Sequence, residues 1–183
     1  MVTMQNKLWV FGGIRRPMDV FSDRLYTLEL DPTTSPSEVV DCVWTNTNPT
    51  GERPSPRSCG SLTPLPDDKT LLLVAGCAWD AAQIITPLND VFTYDSITNK
   101  WTKQIPDADD PSEVLTPRWG HTAQLVGGTQ LYIFGSLFPS LSPPPTTHTK
   151  VISRLLSLVL HAGGQDLARK KWFNDFYILD VSL

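Results

Sequence analysis

Few residues in this chain are spaced for catalysis. Histidine occurs three times, at His121, His148 and His161, and the last two fall in a stretch unlike the rest of the sequence. One remaining histidine is too few for a metal site of ordinary composition, and no cofactor is expected. Ser, Asp and His are all present, but no motif sets them out as nucleophile, base and orienting acid. Asp107, Asp109, Asp110 and Glu113 could attract a cation, although a solvated acidic loop is the simpler reading. The three cysteines, Cys42, Cys59 and Cys77, lack metal-ligand spacing. They read as free, mostly buried thiols in a reducing compartment, which points to the cytoplasm. No glycine pattern precedes a helix in the way a phosphate site requires. Arginine and tryptophan are more informative. Arg57 and Arg118 each follow a proline, and each is either a buried, backbone-paired structural arginine or a clamp for a carboxylate. Their recurrence favours structure. Arg15, Arg16 and Trp79 stand in predicted loops. Exposed Arg and Trp dominate binding hot spots, so these three are the candidate contacts for a protein partner.

The elements that must position these residues are written three times. The middle copy is the fullest. Pro56-Arg57-Ser58-Cys59-Gly60 leads to the apolar run Leu71-Leu72-Leu73-Val74-Ala75-Gly76. Asn89-Asp90-Val91-Phe92-Thr93-Tyr94-Asp95 follows, with Val91, Thr93 and Asp95 on one face of a strand and Phe92 and Tyr94 on the other. A turn over 95–100, rich in residues that hydrogen-bond their own backbone, then delivers Trp101. The first copy runs Leu8-Trp9-Val10-Phe11-Gly12-Gly13, then Ser22-Asp23-Arg24-Leu25-Tyr26, then Val43-Trp44. The third runs Pro117-Arg118-Trp119-Gly120-His121, then Leu131-Tyr132-Ile133-Phe134-Gly135, then Asn174-Asp175-Phe176-Tyr177. Gly12, Gly13, Gly76 and Gly135 read as strand ends that need positive φ or close packing. In this alignment Cys77 stands where the second glycine belongs. Trp44 and Trp101 read as aromatics filling the space between sheets. Tyr26, Tyr94 and Tyr177 read similarly, with bonded hydroxyls.

Each copy is thus a set of short strands that cannot bury both faces alone. Stacking like units about an axis does bury them, and the result is a propeller. At these residues the chain resembles the kelch-repeat family. The resemblance implies an all-β, partial kelch-type propeller of four-stranded antiparallel blades. It further implies a non-enzymatic module that presents loops to a protein partner. Galactose oxidase shares the fold and uses copper with tyrosine, histidine and a crosslinked cysteine, a set that this sequence does not reproduce. An enzyme on the same scaffold, or a truncated product without an independent role, are the alternatives.

Size fits a fragment of about three blades: 183 residues and 20.3 kDa, against roughly 50 residues per blade. The expected blades are 1–50, 51–111 and 112–183, with the chain entering the first at its second strand. Uncovered end sheets predict marginal stability or association. The net charge of −4, without a basic stripe, disfavours nucleic acid. The first residues lack the apolar core of a signal peptide, and no stretch is long enough to suggest a membrane span. Connections 12–23, 45–56, 77–87, 102–117 and the segment beyond Gly135 are expected on one face of the disc, and 31–41 on the other.

Residues 136–163 break the pattern, being proline- and serine-rich and then apolar. Deleting them brings Gly135 against Gly164 and restores a glycine pair and an ordinary distance to Asn174 and Asp175. The stretch therefore reads as a translated intron, with a genuine loop insertion as the rival reading. Transcripts that retain it in most molecules would decide for the insertion.

Overall fold

The computed structural model describes residues 1–15, 20–30, 43–105, 115–135, 163–166, 171–174 and 176–181. Every named element is a β-strand. Three sheets make the body. The first has the order β1-β2-β5-β6, the second β7-β11-β10-β9-β8 and the third β12-β13-β16. Their strands are β1 Val2–Met4, β2 Lys7–Phe11, β5 Leu25–Glu29 and β6 Thr45–Asn46, then β7 Thr50–Gly51, β8 Ser61–Pro64, β9 Thr70–Trp79, β10 Ile85–Asp95 and β11 Lys100–Gln104, then β12 Thr122–Val126, β13 Gln130–Phe134 and β16 Phe176–Asp180. Two hairpins complete the set: β3 Ile14–Arg15 with β4 Val20–Phe21, and β14 Gly163–Asp166 with β15 Lys171–Asn174. Neighbours are antiparallel except β7, which lies parallel to β11. The architecture is an open kelch-type propeller.

The first strands of the sheets converge, with β1 against β8 and β8 against β12. Between the first two sheets lie Met4, Trp9, Leu25, Leu71, Leu73, Phe92, Tyr94 and Trp101. Between the second and third lie Leu72, Val74, Val91, Leu131, Ile133, Leu115 and Val181. The period-2 alternation of β9 and β10 explains the split. Leu71, Leu73, Phe92 and Tyr94 face one neighbour, while Leu72, Val74 and Val91 face the other. The turn after β10 is an Asx turn. Asp95 Oδ1 accepts from the N–H groups of Ile97 (2.7 Å) and Thr98 (3.0 Å), and Asn99 adopts φ +51°.

The sheets depart from the sequence reading in five places. The first sheet has four strands, not three, because Val2–Met4 turns through Gln5 and Asn6, both at φ +54°, and pairs with β2. A three-residue strand with no glycine stop carries little pattern. The connection 45–56 holds two strands, β6 and β7, so the second sheet has five strands instead of four. The described parts of the loops at 12–23 and 77–87 hold ribbon: β3 pairs with β4, and β9 and β10 pair out to Trp79 and Ile85. Cys77 is not the second glycine. Gly13 donates its N–H to the Arg57 carbonyl (2.8 Å) and Gly76 to that of Arg118 (2.9 Å), so these two glycines correspond. Ala75 therefore takes the first-glycine place, with φ +54°. At the corresponding Gly12, a Cβ would stand 2.4 Å from the Arg57 carbonyl oxygen.

The fifth departure is Trp44. The β5–β6 register pairs Tyr26 with Asn46 and Thr27 with Thr45, which sets Trp44 opposite Leu28. That is the place of Trp101 opposite Tyr94. Trp101 is fully buried, but Trp44 is 44% exposed. The expectation of a buried core aromatic fails because no sheet among the described residues covers that face. Cys59 also differs from expectation. It is exposed, holding φ +57° where the third sheet has Gly120. Cys77 is buried and free, and burial pushes its thiol pKa up.

Candidate functional site

Two kinds of site emerge: bolts between sheets, and an exposed ribbon face. The bolts explain the recurrent arginines. The Arg57 backbone joins the first sheet, donating to the Ser22 carbonyl (3.0 Å) and accepting from Gly13. Its side chain turns the other way, into the second sheet. There the guanidinium donates to the Ser55 carbonyl (3.1 Å) and the Ala75 carbonyl (3.1 Å), and forms a two-pronged ion pair with Asp90. It also lies 5.4 Å from the centre of the Phe92 ring. Asp90 reaches it because the β9–β10 register shifts between Leu88 and Val91, a bulge that contains Asn89 and Asp90. Asn89 itself is exposed. Arg118 repeats the device one sheet on. Its backbone joins Gly76 and Leu88, and its side chain donates to the Thr116 carbonyl (3.1 Å) and the Gly135 carbonyl (3.2 Å). Both arginines are fully buried. Asn174 ends β15 opposite Gly163; Asp175 lies outside the described residues.

His121 sits beside this second bolt, its Nε2 2.8 Å from the Ser61 hydroxyl. Burial, helped by the Arg118 charge, lowers its pKa from 6.5 to about 4. It is therefore a neutral imidazole at neutral pH.

The ribbon and the strand end beside it carry the candidate contacts. Trp79 ends β9 and stacks on Phe21 of β4, with ring centres 5.3 Å apart at 24°. This locks the β3–β4 ribbon against the second sheet. A hollow of about 460 Å³ between them is walled by Val20, Phe21, Ser55, Pro56, Trp79 and Gln83. On the ribbon's other side a hollow of about 500 Å³ is walled by Arg15, Val20, Phe21, Asp23, Arg24 and Tyr26, with Gly12 and Gly13 among its lining. Arg53 reaches over to Asp23 (3.1 Å) and ties the two sides together. The 80–84 turn is fixed by Asp80, whose Oδ1 accepts from Ala82 N–H (2.8 Å) and Ile84 N–H (2.9 Å). Arg24 donates to the Tyr26 hydroxyl (3.2 Å), which raises its pKa.

Trp79 packs on Phe21, which pairs with Ile14 across the ribbon, whereas Arg15 pairs with Val20 on the alternate register position. The structure therefore does not bring Arg15 and Trp79 to one side of the ribbon, and Arg16 lies outside the described residues. Sequence reasoning missed Ile14 and Val20 of the ribbon and Ile84 of the turn after Trp79, all of them exposed. The signal was present, since apolar residues in a predicted loop are unusual unless a ribbon or a partner holds them. Of the expected connections, residues 20–23 of 12–23, residues 53–56 of 45–56 and residues 79–83 of 77–87 meet at the ribbon, while 16–19 and 106–114 lie outside the described residues. Among those residues no group of three or more His, Cys, Asp and Glu could hold a metal ion, and no helix is long and apolar enough to cross a membrane.

The KLHDC2/KLHL20/DRC7 Kelch-repeats domain matches residues 1–137. Human Kelch domain-containing protein 1 is 32% identical over 143 residues, which is 78% of this chain and 30% of that protein. A chain in the cryo-EM structure of RAG in complex with one melted and one unmelted RSS superposes with a TM-score of 0.52 at 16% identity, covering 90% of this chain and 40% of that one. The structure of YjhT gives a TM-score of 0.47 at 19% identity, over 70% of this chain and 30% of that one. This chain therefore spans about a third of the human relative.

Proposed function

We propose that this chain, which belongs to the kelch-repeat family, binds a protein partner through its ribbon face. Domains of this family generally serve protein interaction. The observation that carries the reading is a two-stranded ribbon pinned by the Phe21–Trp79 stack, which carries Arg15 and the exposed apolar residues Ile14 and Val20, with Ile84 exposed in the turn after Trp79. Aromatic and arginine anchors amid apolar neighbours are the composition of a hot spot, and a preset ribbon lowers the ordering cost of binding. The role is non-enzymatic, and the setting is the cytoplasm, where free Cys59 and Cys77 would stay reduced.

Panning a displayed peptide library against the chain tests this. Recovered binders should lose about tenfold or more in affinity to Trp79→Ala, with a smaller loss for Arg15→Ala and for Ile84→Asp. Binders indifferent to all three variants would refute the face. Stoichiometric copper or iron in the purified chain would favour an enzyme instead.

A further inference from the structure

Two thiols of the second sheet share one hydroxyl. The Ser58 Oγ lies 3.5 Å from the Cys59 Sγ and 3.6 Å from the Cys77 Sγ. A hydroxyl has a single proton to give. Here it is given to Cys59, so the Cys77 S–H donates to the Ser58 oxygen. The backbone sets the spacing. Ser58 and Cys77 are opposed in an antiparallel bridge and exchange both N–H···O=C bonds, at 3.0 and 2.9 Å. Cys59 is the next residue along, opposite Gly76 in the register that continues into β8 and β9. Strand geometry puts its Cα about 6 Å from that of Cys77, within the span that a disulfide bridges.

In a regular strand Cys59 would point away from the face shared by Ser58 and Cys77. Its backbone instead holds φ +57°, a conformation that residues other than glycine rarely adopt. The third sheet has Gly120 in this place, at φ +64°. A cysteine in the conformation of a glycine turns its sulfur toward the Ser58 hydroxyl. Strain of this kind gathers where a side chain is held for a task. The two sulfurs also differ in access: Cys59 is exposed, whereas Cys77 is buried. Burial raises the Cys77 pKa, the Ser58 hydrogen bond lowers it, and the neighbouring Cys59 raises it again.

We infer that Cys59 and Cys77 are a reversible redox pair, in which peroxide oxidises exposed Cys59 and buried Cys77 then closes a disulfide with it. In the first step the Cys59 sulfur attacks one oxygen of hydrogen peroxide. The O–O bond breaks, Cys59 becomes a sulfenic acid, and the hydroxide that leaves takes the Cys59 proton to form water. In the second step the Cys77 sulfur attacks the Cys59 sulfur. The S–S bond forms and the S–O bond breaks. The Cys77 proton passes to the Ser58 oxygen as Ser58 gives its own proton to the departing hydroxyl, which leaves as a second water. Two thiols lose two electrons and two protons, and peroxide is reduced to two waters. A thiol reductant reverses the bond by exchange. The Cys59 carbonyl accepts the Gly120 N–H at 2.8 Å, and Ser58 follows the Arg57 bolt directly. The cross-link therefore fixes the stretch that joins the second sheet to both of its neighbours. No contact proposed for the ribbon takes part, so the two readings stand separately.

Peroxide treatment of the native 183-residue chain, followed by alkylation, trypsin and mass spectrometry, tests the pair. Cleavage after Arg57, Lys69 and Lys100 places the two cysteines in separate peptides, 58–69 and 70–100. These peptides should be recovered joined, with Cys42 alkylated, and dithiothreitol should part them. Ser58→Ala should slow the joining by about tenfold or more, since it removes the proton path. Cys59→Gly, which suits the backbone, should leave Cys77 a thiol at the same peroxide dose. Cys59 driven to sulfinic acid while Cys77 stays a thiol would overturn the inference. So would a disulfide to Cys42, a pair that joins only in denaturant, undiminished joining in Ser58→Ala, or oxidised Cys77 in Cys59→Gly.

Discussion

Trp101 and Trp44 hold the same place in consecutive sheets, yet one is sealed and the other stands 44% exposed. Trp101 meets Phe11, Phe92 and Tyr94, with ring centres 5.3, 6.4 and 5.1 Å away. Trp44 faces outward with Leu28 and Leu8. The difference lies in the neighbour, not in the residue or its strand. A repeat specifies where a side chain points, and the next repeat specifies what it meets. The same holds for the arginines, whose backbone belongs to one sheet and side chain to the next.

That contrast can be broken most severely at the bolt. Arg57→Ala should cost about 3–5 kcal/mol, because it strands the Asp90 carboxylate and the Ala75 carbonyl. Arg57→Lys should recover little, since one ammonium cannot copy a fork that serves Ser55, Ala75 and Asp90 together. Denaturant titration measures both.

Truncating the tryptophans sharpens the contrast directly. Trp101→Ala should lose about 3–5 kcal/mol. Trp44→Ala should stay within about 0.5 kcal/mol when the chain is dilute. Equal losses would mean that both faces are covered.

The second bolt has a pH signature through His121. Its folded pKa of about 4 lies below the unfolded 6.5, so below pH 6.5 protons favour the unfolded chain. Stability is full above pH 6.5 and should fall by at most about 3 kcal/mol toward pH 4. His121→Asn should remove that slope, as read by melting across the same window.

The smallest effect concerns Ala75, held at φ +54° where the first sheet has Gly12. Ala75→Gly should relieve left-handed strain and stabilise by up to about 1 kcal/mol, offset in part by a freer unfolded chain. A destabilisation would mean that the alanine methyl contributes more packing than its backbone costs.

Much of this was legible in the residues. Arg57 and Arg118, the aromatic alternation of 91–94 and the Asp95 turn each announce their structure, because their physics is local or repeats. The Ala75–Gly76 register was not legible, since glycine was read as the marker while an alanine, Ala75, holds the left-handed backbone that Gly12 holds in the first sheet. Trp44 was legible in place but not in environment. Around the ribbon Arg15 and Trp79 could be named, but Ile14, Val20 and Ile84 could not. Two-residue strands are too short to show a period, and the Phe21–Trp79 stack joins residues from different repeats.

The central claim is that the sheets are bolted in series, and amide hydrogen exchange at Gly13 and Gly76 tests it most directly. Their N–H groups bond to the carbonyls of Arg57 and Arg118, across sheet boundaries. Both should exchange as slowly as the central strands β9 and β10, rising to the free energy of global unfolding. Fast exchange at both glycines, beside protected β9 and β10, would show sheets that fold without being joined and would contradict the account.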